Sequence, residues 1–250
     1  RVTEDLDRYE ALIASLEEEG FTDTTDVEAL KAEINRLEDR VTKLREAAKE
    51  EAGQSARDFT GDGNRQYLTG LNLGGNRIVI LIDASASMMA DSIVNVIRLR
   101  NMDPELQRSA DKWQRALNTV DWLTSQLPIN SQYQIIAFNT EAQPILSGTA
   151  GKWLEVADAP QLKAATEALR DRLPSGGTNL HGAFDAVGTL PGGPDNIFLI
   201  TDGLPTQSYE PPRRTTISGR DRLNLFRKAV QRLPSGVPVN IILAPMEGDP

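Results

Sequence analysis

Residues 77–87 have the sequence RIVILIDASAS, and the fold class follows from this stretch. Its first part is a run of β-branched and aliphatic residues, which predicts a buried β-strand. Asp83, Ser85 and Ser87 then follow at alternate positions where that strand ends. One carboxylate and two hydroxyls form an oxygen-only ligand set, which suits Mg²⁺, Mn²⁺ or Ca²⁺ rather than zinc or copper. Because the set carries little charge, we expect weak ion binding that leaves positive charge for an outside ligand.

Two later segments carry matching oxygen atoms. Residues 175–180, SGGTNL, predict a glycine-rich turn that enters a helix and offers the hydroxyl of Thr178. Residues 196–203, NIFLITDG, predict a second buried strand that ends near Asp202. In an open parallel sheet, ligands bind beyond the carboxyl ends of the strands. We therefore expect all three segments to meet at one edge of the sheet, although Asp and Ser after a strand also fit plain turn chemistry.

These three segments together resemble the von Willebrand factor A domain and its metal ion-dependent adhesion site. The resemblance runs from about residue 77 to the end of the chain, and all five metal-site positions carry the family's residue types. It implies that Ser85, Ser87 and Thr178 bind Mg²⁺ directly or nearly so, and that Asp83 and Asp202 act largely through bound water. It further implies that a carboxylate of a partner protein takes the remaining coordination position.

Beyond the motif, strand-like and helix-like segments alternate along the chain. This alternation predicts an α/β fold, with a doubly wound and mostly parallel sheet that has helices on both faces. The predicted strands are 77–83, 132–138, 143–146 as a short edge strand, 196–201 and 238–243. The predicted helices are a long helical region at 88–127 with a break at Asp103-Pro104, then 160–173, 179–189 and 219–232.

The loops around the predicted metal site are where we expect partner contacts. Gly177 and Gly203 adjoin the predicted ligands, and both belong to this rim. Arg213 and Arg214 lie in the polar loop at residues 207–219, where they would contact an acidic partner. An exposed loop that only aids solubility is the alternative for these two arginines.

An enzymatic function is the less favoured interpretation. A strand that ends in Asp, with a later Thr and a later Asp, also fits an aspartyl-phosphate phosphotransferase. Such an enzyme needs a second acid two residues after the nucleophile, where this chain has Ser85, and a lysine near the phosphate, which the candidate turns lack. The chain has no cysteine, and we expect its one histidine, His181, to be a solvent or packing residue. We therefore expect no catalytic activity.

Charge is distributed unevenly along the chain. The net charge is −9, and residues 1–53 hold 16 acids and 8 bases, which leaves the remainder close to neutral. No basic stripe suits nucleic acid, and no polybasic patch suits an anionic membrane. We expect the acidic surplus to keep the N-terminal segment soluble.

Residues 1–52 predict a helical stalk. A first helix at about 2–19 ends at Gly20, and a second, capped at Thr25, carries an unbroken heptad pattern over residues 27–48. The pattern fits either a parallel two-stranded coiled coil or an αα-hairpin, and either allows self-association through the stalk. Residues 53–76 predict a glycine-rich linker with a short strand near 66–73.

The boundaries of the chain suggest a fragment of a longer, bacterial protein. The chain starts at Arg1 and stops soon after a predicted strand, whereas the resembled family continues with a helix and a strand. We expect a membrane anchor upstream and a periplasmic or otherwise extracytoplasmic location. The alternative function is a structural subunit of a bacterial envelope or proton-channel-associated assembly, in which the metal only stabilises the loops.

Overall fold

The computed structural model describes residue 36 and residues 74–211 and 217–246. The chain divides into two units, residues 1–55 and 56–250. In the first unit only Arg36 is described, and it is helical and exposed. Apart from Arg36 in the predicted stalk and residues 74–76 in the predicted linker, both segments lie outside the described residues, as do the strand predicted near 66–73 and Arg213 with Arg214. None of the described helices is long and apolar enough to cross a membrane.

A mixed β-sheet forms the centre of the second unit. Its strands within the described residues are β1 (Arg77–Asp83), β2 (Gln132–Phe138), β3 (Ala142–Pro144), β4 (Leu154–Glu155), β5 (Asn196–Thr201) and β6 (Val239–Leu243). The order is β3-β2-β1-β5-β6, and β4 also pairs with β2. Strands β1, β2, β5 and β6 run parallel, whereas β3 and β4 run antiparallel to β2. Strand β1 is therefore central, as its apolar sequence predicts.

Helices cover both faces of this sheet. They are α1 (Ile93–Leu99), α2 (Pro104–Arg108), α3 (Asp111–Ser125), α4 (Ala159–Arg170), α5 (Leu180–Gly188) and α6 (Gly219–Val230), with a 3₁₀ turn at Ala86–Met89. Alternate residues of β1 enter two separate apolar cores. Ile80 packs in the core that holds Trp113 of α3 and Leu162 of α4. Leu81 packs on the opposite side, in the core that holds Phe184 of α5. The predicted two-faced α/β architecture is thus confirmed for the described residues.

The region 88–127 differs most from its prediction. The expected long helical region is instead a 3₁₀ turn followed by α1, α2 and α3. The break at Asp103 is confirmed, since Asp103 precedes α2 and Pro104 opens it. A further break before Asp111 was missed because Ala110 there has no side chain that could cap a helix. The edge strand predicted at 143–146 forms instead at 142–144, and the two-residue strand β4 was not predicted.

Candidate metal site

Three loops at the carboxyl ends of β1 and β5 and before α5 are joined by main-chain hydrogen bonds. The Ser175 amide donates to the Ala84 carbonyl at 2.8 Å, and the Ala86 amide donates to the Gly176 carbonyl at 3.1 Å. The third loop adds a bond of 3.0 Å from the Thr206 amide to the Thr178 carbonyl. The sequence predicted that these segments meet, and the backbone bonds hold them in register.

Asp83 lies at the bottom of this junction and is fully buried. Its Oδ1 accepts from the Ser85 amide at 2.9 Å, and its Oδ2 accepts from the Thr201 hydroxyl at 2.9 Å. Burial, followed by the negative charge of Asp202, raises the pKa of Asp83 to about 7, against the lowering effect of these hydrogen bonds. The two carboxylates thus repel each other across the junction, which is an arrangement that a divalent cation would relieve.

The hydroxyl groups supply further oxygen atoms. Ser85 and Ser87 lie with their Oγ atoms 2.9 Å apart, and Ser87 is the more exposed of the two. Thr178 is only 3% exposed, and its amide donates to the Thr206 hydroxyl at 2.9 Å. Among the described residues, the hydroxyl of Thr178 itself makes no hydrogen bond. The Thr178 Oγ1 atom keeps access to solvent, so this oxygen is available to contact an ion or water.

Two glycines let the loops approach this closely. Gly176 has φ +74°, a backbone conformation that other residues rarely adopt. A Cβ on Gly177 would lie 2.7 Å from the Thr206 Oγ1 atom and 3.0 Å from the Gln207 Oε1 atom. A side chain at Gly177 would therefore have to displace the Thr206 hydroxyl, which accepts a hydrogen bond from the Thr178 amide.

Lys112 is the residue at this site that the sequence analysis missed. It lies in the first turn of α3, is 1% exposed, and places its Nζ atom 3.1 Å from Asp202 Oδ2. The same ammonium donates to the carbonyls of Ser87 at 3.1 Å and Ala90 at 3.3 Å. The candidate turns themselves carry no lysine, as the sequence analysis states, and Lys112 reaches the site from α3 instead. The available signal was that Lys112 shares the apolar stripe of α3 with Ala116.

The residues present fit a weakly held hard cation. In the described ranges 74–211 and 217–246, no group of three or more His, Cys, Asp or Glu side chains could hold a metal ion. The site has two carboxylates, Asp83 and Asp202, and otherwise relies on hydroxyl oxygens. Such a set excludes a zinc-type site and resembles the oxygen ligands that Mg²⁺ prefers.

A family model supports the assignment of the fold. The von Willebrand factor type A domain model matches residues 78–204, just over half of the chain. This chain belongs to the von Willebrand factor type A domain family. The match spans the strands and loops that carry all five predicted metal-site residues. Among curated proteins, none matches the sequence.

Solved structures give distant similarities to this von Willebrand factor type A domain. A von Willebrand factor type A protein from Catenulispora acidiphila is 23% identical with a TM-score of 0.41, covering 67% of this chain and 32% of that one. The conserved hypothetical protein BatB from Bacteroides thetaiotaomicron is 17% identical with a TM-score of 0.41, covering 68% and 66%. The PilB minor pilin from Streptococcus sanguinis is 17% identical with a TM-score of 0.42, covering 68% and 50%. At these values none of the three speaks to what this chain binds.

Residues 91–110 form a segment, here called the excursion, that begins and ends beside the metal-site rim of the von Willebrand domain. At the base of this excursion, Lys112 donates to the Ala90 carbonyl, and Arg115 pairs with Asp91 at 2.9 Å. The excursion contains α1 and α2 and exposes four large apolar side chains to solvent. They are Ile93 (64% exposed), Val94 (72%), Ile97 (56%) and Leu106 (51%). The predicted rim did not include this surface.

His181 is a half-buried residue on α5, with its side chain 19% exposed. Its Nε2 accepts a 2.9 Å hydrogen bond from Arg232, and its ring meets Tyr209 edge-on with centroids 5.3 Å apart. Tyr209 also donates to Asp185, which raises the pKa of Tyr209. These contacts tie the loop after Asp202 to α5. Of the remaining predicted rim residues, Gly203 is half-buried beside Asp202.

Proposed function

We propose that this von Willebrand factor type A domain is a metal-dependent protein-binding module rather than an enzyme. The observation that carries the proposal is the junction itself. Two buried carboxylates that repel each other, a pair of serine hydroxyls, and a threonine hydroxyl that makes no hydrogen bond within the described residues lie on three loops joined by backbone bonds. A divalent cation would satisfy all of these groups at once.

The proposed ion is Mg²⁺, with Mn²⁺ or Ca²⁺ as substitutes. Ser85, Ser87 and Thr178 would hold it directly, and Asp83 and Asp202 would hold it largely through water. When bound, the ion supplies a positive centre with an open coordination position. Because this chain contributes only two carboxylates, an acidic side chain of a partner is the ligand that best completes the site.

The surroundings of the site favour a protein as that partner. The excursion at residues 91–110 presents Ile93, Val94, Ile97 and Leu106 to solvent beside the rim. A group of exposed apolar side chains beside a polar rim is a feature of protein–protein interaction surfaces. We propose that a partner places its carboxylate at the ion and apolar side chains on this excursion.

The proposal is tested by capture of a partner from a native extract with solubilised membranes. Four conditions are compared: the wild-type chain with Mg²⁺, the wild-type chain with EDTA, the Asp202→Asn variant, and the matched control variant Asp171→Asn, whose substitution lies on an exposed turn. We expect one partner to be retained by wild type and by the control, and lost with EDTA and with Asp202→Asn. A partner retained under all four conditions would place the function elsewhere on the chain.

One observation favours a second candidate, phosphoryl transfer. Lys112 beside Asp202 supplies the lysine that such an enzyme needs. However, Ser85 still occupies the position of the required second acid. The ammonium group of Lys112 also already donates hydrogen bonds to the carbonyls of Ser87 and Ala90. Release of phosphate from acetyl phosphate that depends on Asp83 would favour this second function over binding.

A further inference from the structure

Lys112 has an unusual position for a lysine. Its side chain is 1% exposed, and lysine is almost never fully buried unless it is paired. The ammonium group has three N–H donors, and three acceptors surround it: Asp202 Oδ2 and the carbonyls of Ser87 and Ala90. Lys112 therefore has no donor left for an incoming ligand, and any influence on the site must come from its charge and from the two loops that it joins.

We propose that Lys112 is a built-in counter-charge that weakens binding of the divalent ion and strengthens binding of the partner's carboxylate. The inference rests on the proposed function and assigns a residue that lies outside the metal-binding motif. Lys112 acts here as a positioning and charge-setting residue, because it touches Asp202 and not the partner.

The charges of the site explain why Lys112 weakens binding of the divalent ion. Asp83 and Asp202 are the carboxylates of the junction, and Lys112 already neutralises one of them with a 3.1 Å ion pair. A divalent ion must share Asp202 with the ammonium group. Two positive charges this close repel each other strongly where water is excluded. The ion therefore binds less tightly than it would bind to the same oxygen ligands without Lys112.

The same charges explain why Lys112 strengthens binding of the partner's carboxylate. With two carboxylates, one ammonium group and one divalent ion, the loaded site has an excess of one positive charge, whereas without Lys112 it would be neutral. An excess positive charge next to an open coordination position attracts an anion. Lys112 also joins the loop at residues 87–90 to Asp202 before any ion binds, so the site is assembled in advance and needs little rearrangement.

A purely structural role makes the opposite prediction for ion binding. If Lys112 only held the loops together, its removal would loosen Ser87 and Asp202 and so weaken the binding of the ion. If it acts as a counter-charge, its removal tightens the binding of the ion and weakens that of the anion. The direction of the change in metal affinity thus separates the two roles.

The test is a titration of the full chain with Mn²⁺, followed by electron paramagnetic resonance at one fixed pH, with and without acetate as the anion. The variants are Lys112→Met, Lys112→Gln as a second substitution that retains polarity, and Lys163→Met as the matched control on an exposed helix face. We expect both Lys112 variants to bind Mn²⁺ about tenfold more tightly than wild type. We also expect acetate to improve the Mn²⁺ affinity of these variants less than it improves that of wild type. Lys163→Met should match wild type.

Thermal unfolding provides a readout that does not need a partner. In EDTA both Lys112 variants should unfold at lower temperature than wild type, and Mn²⁺ should raise their unfolding temperature by more than it raises that of wild type. Equal or weaker Mn²⁺ binding by both folded variants would overturn the counter-charge role while leaving the proposed function intact. Absence of Mn²⁺ binding by the wild-type chain would overturn the proposed function, and this inference with it.

Discussion

Replacement of Gly177 by alanine tests whether close approach of the loops builds the metal site. The added Cβ would lie 2.7 Å from Thr206 Oγ1 and 3.0 Å from Gln207 Oε1, both closer than ordinary contacts. Relief of this clash must move Thr206, whose hydroxyl accepts from the Thr178 amide at 2.9 Å. Overpacking of this kind costs about 1–3 kcal/mol, and loss of the hydrogen bond adds about 1 kcal/mol.

The matched control is Gly188→Ala at the end of α5. No atom lies within 4 Å of a Cβ added at Gly188, and its backbone is helical. Alanine is favoured over glycine in a helix by up to about 1 kcal/mol, so this variant should be as stable as wild type or more stable.

Urea unfolding in EDTA and in Mg²⁺ measures both expectations. Gly177→Ala should lower the free energy of unfolding by about 2–4 kcal/mol in EDTA and should reduce the extra stability that Mg²⁺ confers. Gly177→Ala and Gly188→Ala with equal stability and an equal response to Mg²⁺ would refute the argument that contact between the Gly177 and Thr206 loops forms the site.

Two further predictions concern pH and the partner surface. The pKa of Asp83 is about 7 in the folded metal-free chain and near 3.8 in an unfolded one, so the folded state binds the proton more tightly. In EDTA, wild type should therefore lose stability relative to Asp83→Asn as pH rises from about 4 to about 7, and no further above that range; parallel pH profiles of the two proteins would contradict this. On the excursion at residues 91–110, Ile97→Lys should reduce partner capture without changing Mg²⁺ binding, because Ile97 is 56% exposed and the charge alters only the contact surface. Ile241→Lys on β6, at 52% exposure, is the control, and equal partner capture by both lysine variants would show that the excursion is not the contact surface.

The buried strands were the most predictable part of the fold. Strands β1, β2 and β5 have the predicted bounds, because each is a short apolar run that fills a central position in the sheet. The helices predicted at 160–173, 179–189 and 219–232 form with ends shifted by at most three residues, where helices commonly fray. The approach of the motif loops also follows from sequence, because parallel strands end at the same edge of a sheet.

The sequence predicted less well where long-range contacts determine the structure. The sequence of residues 88–127 predicts one helical region with a single break at Asp103-Pro104, but the structure has a 3₁₀ turn and three separate short or medium helices there. Lys112 illustrates the same limit, since its partners Ser87 and Asp202 are distant in sequence and only the assembled fold brings them together. Strand β4 has two residues and depends on β2 for its hydrogen bonds, so it carries no periodic signal.

The most direct test of the account is a Mn²⁺ titration of the wild-type chain and of Thr178→Val. Valine has nearly the shape of threonine and removes only the hydroxyl that makes no hydrogen bond within the described residues. If the junction is a metal site, wild type should bind one Mn²⁺ weakly, and Thr178→Val should remain folded but bind Mn²⁺ about tenfold or more weakly. Binding that is equal in the two proteins, or no binding by the wild-type chain, would contradict the assignment of this junction as a metal site.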